Sequence, residues 1–191
     1  MRTAEVERRT KETGIKISLN VDGKGDYDIN TGIKFFDHLL SSFAKHGLFD
    51  LNIKASGDNE HHIVEDVALS LGKAFKDALG DKAGIRRFGF AMTPMDDALV
   101  LVSVDISGRS HCALDMDFKR KNIEGLSVEM IPHFIETFVS EFKINLHAKL
   151  LDGKNDHHKS EALFKALAIA LDNATQIDPR RKGVPSIKGM L

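Results

Sequence analysis

Two stretches, GDNEHHIVED at 57–66 and GKNDHHKSEA at 153–162, each place adjacent histidines ahead of a glutamate where an apolar helical pattern begins. This doubled HHxxE limits the possible folds more than any other feature, because the chain must build two equivalent helix starts. The segments before each copy follow one order. EVERRT and IKISLNV alternate as strands joined by a turn at Glu12–Gly14, and GKGDYDIN ends the second. GIKFFDHLLSSFAKHG is helical with a stop at Gly47, FDLNIKA is a strand, and NEHHIVEDVALSLGKAFKDALG is a helix capped by Asn59 and ended by Gly80. In the second half ALVLVSVDISG and HCALDMDF are strands, and SVEMIPHFIETFVSEFK is a helix that Pro132 should kink or start late. INLHAKL is a strand, and KNDHHKSEALFKALAIALDNA is the matching helix, with Asp156 as its cap.

The histidines keep register, with 23 residues from His38 to His61 and 24 from His133 to His157. LNVDGK at 19–24 also aligns with VDISGR at 104–109. Duplication explains both spacings. The expected fold is α+β: two βαβα-type half-domains, each a mostly antiparallel sheet with two helices on one face, related by a pseudo-dyad. Residues 1–92 form the first half-repeat, and 93–191 the second with a basic C-terminal tail. A chain of 191 residues, 42% of them hydrophobic, supports one compact unit with a real core. A net charge of -1 gives no reason to expect a nucleic-acid or membrane partner. The single Cys112, the charged N-terminus without a signal-peptide pattern, and a longest apolar run of ALAIAL at 166–171 lead us to expect a soluble cytoplasmic protein.

On a helix, residues i and i+4 share a face, while i+1 is turned about 100° away. His61 with Glu65, and His157 with Glu161, can therefore each grip one ion, whereas His62 and His158 point to a different ion. Two such helices related by a dyad would supply His plus Glu to each metal from one helix and a single His from the other. His38 and His133, equivalent in the repeat, could add a fourth ligand to each. Helix N-termini favour neutral imidazole, the form that binds metal. Nitrogen-rich donors with one carboxylate suit an octahedral Mn²⁺ or Fe²⁺ better than Mg²⁺ or Ca²⁺. A cysteine-type structural zinc is excluded.

Cationic residues form a second set. Arg87 lies in GIRRFGF, Arg109 in SGRSH, and Lys165 one turn beyond Glu161. The tail carries Ser186 and Lys188. Guanidinium and ammonium groups with a hydroxyl can clamp a phosphate. His111 and His147 read as structural. Asp96 and Asp97 in TPMDDALV could face the site, but acidic turn residues are common and they are not assigned.

TGIKFFDHLL, KHGLFDL, HHIVEDVALSLG, GIRRFG, SGRSH, HHKSEALFKALAIAL and PSIKG together resemble the imidazoleglycerol-phosphate dehydratases of histidine biosynthesis, from about Arg8 onward. The resemblance implies a hydro-lyase that dehydrates imidazole glycerol phosphate to imidazole acetol phosphate. Two Mn²⁺ per active site would bind the substrate imidazolate, and a diazafulvene-like intermediate would follow. One ion would take His38, His62, His157 and Glu161; the other would take His61, Glu65, His133 and His158. Phosphate contacts fall on Arg87, Arg109, Lys165, Ser186 and Lys188, with His46 lining the substrate and Glu12 moving protons. The family pattern also implies a homo-oligomer of 24 subunits built from trimers, with active sites between subunits. Two departures stand out: NEHH replaces an aspartate-rich DDHH lead-in, and Ile187 stands where the tail motif usually has a hydroxyl. No phosphatase motif precedes the domain, so the monofunctional form is expected.

Overall fold

A computed structural model describes residues 1–191. The first half runs β1 (Thr3–Arg9), β2 (Thr13–Asn20), β3 (Tyr27–Asn30), α1 (Lys34–His46), β4 (Asp50–Gly57) and α2 (Glu60–Leu79). The second runs β5 (Phe88–Met95), β6 (Ala98–Asp105), β7 (His111–Asp115) and a short hairpin, β8 (Asn122–Ile123) with β9 (Leu126–Ser127). It continues with α3 (Met130–Phe142), β10 (Asn145–Asp152) and α4 (Asp156–Thr175).

The halves repeat one topology. Their sheets are ordered β1-β2-β4-β3 and β5-β6-β10-β7. In each, the first three strands are antiparallel and the last runs parallel to its neighbour. The expected βαβα series is present in both, with a strand hairpin ahead of it. Alternation sets the faces: Ile15, Ile17 and Leu19 of β2 are buried while Lys16 and Ser18 are exposed. Helix α2 packs on β1 and β2, and α4 on β5 and β6. Across the middle, α2 meets α3 and α1 meets α4. The helices thus join the two halves through one continuous core that includes Phe43, Phe75, Phe138 and Phe142.

This cross-pairing positions the site, since each helix that starts with HH lies against a helix from the other half. The contacts are close. A Cβ on Gly72 of α2 would sit 2.9 Å from the Phe138 carbonyl of α3, and one on Gly89 of β5 would run into the Ala170 carbonyl of α4. Gly89→Ala should therefore cost at least the ~1–3 kcal/mol typical of overpacking, because rigid backbone and not a flexible side chain must yield. Thermal unfolding measures the loss, and an unchanged midpoint would refute so close an approach of β5 to α4.

Several expectations change in detail. GKGDYDIN does not end β2; it turns at 21–26 and then forms β3, parallel to β4. The helix with Pro132 starts late, as expected, at Met130 and not at Ser127 where the pattern begins. Pro132 is the third residue of α3, where a backbone N–H has no intrahelical partner to lose. The cap of α4 is Asn155, whose side chain accepts from the His157 N–H, and Asp156 is instead buried one residue later. The division expected at 92/93 lies inside β5, every residue of which pairs with β6. No helix is long and apolar enough to cross a membrane.

Candidate metal centre

Each HH helix begins with an asparagine cap. Asn59 accepts from the His62 N–H at 3.0 Å, and Asn155 from the His157 N–H at 3.0 Å. The i, i+4 geometry then brings His61 beside Glu65 and His157 beside Glu161. Helix α1 adds His38 to the second pair, and α3 adds His133 to the first. The ligand atoms of His38, His157 and Glu161 lie within 4.8 Å of one another, and so do those of His61, Glu65 and His133. His157 Nε2 and His38 Nε2 flank the Glu161 carboxylate at 3.4 and 3.6 Å. In the other group His133 Nε2 is 3.8 Å from Glu65, and the His133 ring stacks on His61 at 4.6 Å. Each group thus draws on both halves of the chain.

The donors fit a divalent metal. His133 Nε2 is buried with no hydrogen-bond partner, which a coordinated cation would supply. Burial acts to raise the Glu161 carboxyl, but Lys165 at 2.9 Å and His38 outweigh it and hold it below the usual value. An ionised Glu161 carboxylate is the form that could hold a cation.

The structure separates the fourth histidine of each expected set. His62 does not join His38, His157 and Glu161; it sits with Glu12 and Asp58, its Nδ1 2.8 Å from Asp58 and 3.7 Å from Glu12. His158 does not join His61, Glu65 and His133; its Nδ1 is 2.6 Å from Asp97 and its Nε2 3.4 Å from Asp96. Within one chain the third donor of each group comes from α1 or α3, and the opposite HH helix of that chain brings none to it. For His62 the expected bias toward neutral imidazole is also reversed. The Asp58 hydrogen bond raises its pKa against desolvation, and Glu12 adds to the rise.

The phosphate candidates fall in two places. Lys165 lies with the His38, His157 and Glu161 group, its Nζ 2.9 Å from Glu161 and 3.3 Å from Met95 Sδ. His46, the last residue of α1, shares that neighbourhood: burial lowers its pKa, Lys165 lowers it further and Glu161 opposes. Arg87, Arg109, Ser186 and Lys188 belong to loops that meet the tail. Arg87 donates from Nε and Nη2 to Asp105, and from Nη1 to the Pro185 carbonyl at 3.0 Å. Three of its five N–H groups are thereby used, and two stay free for an anion. The Gly84 N–H bonds the Gly183 carbonyl, and Leu191 closes on Gly108, next to Arg109. In the tail Ser186 Oγ accepts from the Lys188 N–H at 3.2 Å. His111 and His147 face each other across β7 and β10 and join neither metal group.

Two carboxylates beside the histidines escaped the sequence, Asp58 and Glu124, and Asp96 and Asp97, unassigned from the sequence, also lie there. The usable signal was the repeat, because Asp96 and Asp97 form the tip of the β5–β6 hairpin as Glu12 does that of β1–β2.

Residues 31–171 match the family model described as imidazoleglycerol-phosphate dehydratase. The enzyme of that name from Dehalococcoides mccartyi strain CBDB1 is 58% identical over 191 residues, covering 100% of this chain and 97% of its own. The crystal structure of the Pyrococcus furiosus protein in complex with (S)-C348 superposes with a TM-score of 0.86 at 38% identity, covering 97% of this chain and 100% of that one. The Staphylococcus aureus N315 enzyme gives 0.85 at 32% identity, covering 92% and 99%. The chain belongs to the imidazoleglycerol-phosphate dehydratase family, hydro-lyases of histidine biosynthesis.

Proposed function

We propose that the chain converts imidazole glycerol phosphate to imidazole acetol phosphate with two Mn²⁺ ions per active site. The observation that carries this reading is the pair of three-donor groups, each spanning both halves and each lacking the histidine its tandem partner turns away. One ion would be held by His38, His157 and Glu161 with His62 from a second copy. The other would be held by His61, Glu65 and His133 with His158 from a second copy. Assembly would then complete the sites, in a homo-oligomer of 24 subunits built from trimers. The outward row Phe88, Phe90 and Met92 on β5, each more than half exposed, supports such burial. The unpaired Cys112, its thiol pushed up to about 11 by burial, supports a reducing cytoplasm.

Bound metal would supply Lewis acidity to the two nitrogens of the substrate ring. The chain's own groups do the rest. The ring N–H proton and the hydroxyl beside the ring would leave together as water to give a diazafulvene-like species. A proton would leave the next carbon to give an enol, and a proton returned to the ring-side carbon would complete the ketone. Glu12, exposed at its hairpin tip and 3.7 Å from His62, takes the proton that leaves the next carbon. Arg87, Arg109, Lys165, Ser186 and Lys188 hold the phosphate and orient the chain of carbons, with His46 lining the pocket.

Purified protein given Mn²⁺ and imidazole glycerol phosphate should form the keto product, and chelated protein should not. No product from metal-loaded protein would end the reading. Glu12→Gln should still bind substrate while kcat falls by roughly 10²–10⁴-fold. Near-normal turnover would remove Glu12 from proton transfer.

A further inference from the structure

We propose that Asp97 and Glu124 are positioning residues, which fix the ring protons of His158 and His157 on Nδ1 and so present each Nε2 as a metal ligand. This rests on the ligand assignment above and goes beyond it. Asp97 sits at the β5–β6 tip. Its Oδ2 accepts the backbone N–H groups of Lys154 at 2.7 Å and Asn155 at 3.1 Å. These bonds tie the carboxylate to the loop that starts α4 and leave Oδ1 to accept from His158 Nδ1 at 2.6 Å. An ionised carboxylate only accepts, so Nδ1 carries hydrogen, and in the neutral imidazole that binds metal Nε2 then keeps its lone pair. Nε2 then faces outward, 3.4 Å from the exposed Asp96. Glu124, at the β8–β9 turn, repeats the device from another element. It is 3.0 Å from His157 Nδ1, and the Nε2 of that ring points at Glu161, inside a three-donor group. Carboxylate partners of this kind fix a ligand histidine's tautomer and orientation, and losing one typically weakens metal binding by about 10–100-fold.

Asp97→Asn separates this role from simple loop capping. The amide oxygen can keep both backbone N–H bonds, which turns its NH₂ toward His158 Nδ1. That NH₂ donates, the ring proton moves to Nε2, and the ligand lone pair is lost. Flipping the amide would sacrifice the two backbone bonds. Mn²⁺ titration of the assembled protein, with free Mn²⁺ counted by electron paramagnetic resonance, should show one of the two ion classes weakened by about 10–100-fold. The unfolding midpoint of the metal-free protein should stay unchanged. Glu124→Ala, at an exposed hairpin tip where folding is not at risk, should weaken the other class alone. His158→Ala is the control. If His158→Ala weakens one class while both Asp97→Asn and Glu124→Ala bind Mn²⁺ normally, the positioning role is wrong. If His158→Ala itself binds normally, the ligand assignment fails and the inference falls with it.

Discussion

Chains carrying His62→Ala and chains carrying His157→Ala, co-expressed so that they assemble together, should regain activity that neither has alone. His157 lies with His38 and Glu161, whereas His62 of the same chain lies with Glu12 and Asp58. If one ion takes His157 from one copy and His62 from another, each variant alone breaks every site. Each should lose about 10³-fold or more, as expected when Lewis-acid stabilisation worth several kcal/mol disappears. In an equal mixture, up to about a quarter of the interfaces pair an intact His157 with an intact His62, so about a quarter of normal activity returns. Mixing His157→Ala with Glu161→Ala is the control. Both residues belong to one group on one chain, so no interface is repaired. Product formation measured on the co-expressed assemblies decides the matter. A His62/His157 mixture no more active than its parents would place all ligands of an ion on one chain.

The parts of the fold readable in the sequence were those with strong local periodicity. The four helices and the strands β2, β4, β6 and β10 carry apolar patterns long enough to identify, and the repeat ordered them. The missed strands depend on distant partners. β3 has only four residues and is held by its parallel pairing with β4. β5 presents Phe88, Phe90 and Met92 outward and buries only Gly89 and Ala91 against α4, so its hydrophobicity is on the wrong face to announce a strand. The hairpin β8–β9 has two residues per strand and no periodicity at all.

The site was legible wherever helix geometry determined it. HHxxE places His and Glu on one face whatever surrounds the helix, so His61 with Glu65 and His157 with Glu161 follow directly. Which upstream histidine joins which pair did not follow, because it depends on α1 packing against α4 and α2 against α3. The acidic partners of His62, His157 and His158 come from three separate turns, at Asp58, Glu124 and Asp97. Their proximity is created by the tertiary fold alone, and in sequence they look like ordinary turn residues.

Replacing Asp156 should cost the most stability of any single change at the site. Asp156 and Lys159 are almost wholly buried, with Nζ 2.9 Å from Oδ1. Oδ2 accepts the backbone N–H groups of Lys119 and Arg120 at 2.8 and 2.6 Å, and Lys159 also donates to the Asp117 carbonyl. One carboxylate therefore holds the 117–120 loop over the first turn of α4, immediately before His157. Asp156→Ala leaves a buried ammonium without its counter-charge, a loss of about 3–5 kcal/mol. For a chain of this size that lowers the unfolding midpoint by roughly 6–20 °C. The comparison must use metal-free protein at equal concentration, since binding and assembly shift midpoints by mass action. The pH dependence has a definite sign. Burial acts to raise the Asp156 pKa, but Lys159 and the two amides outweigh it and hold it below the ordinary 3.8. A depressed carboxylate stabilises fully above its unfolded value, and that contribution is lost as pH falls through the folded one. The gap between the native chain and Asp156→Ala should thus be constant near neutrality and close only below about pH 4. A gap already closing between pH 7 and 5, or a midpoint shift no larger than that of an exposed substitution, would mean that water reaches the pair and that the loop over α4 is held by something else.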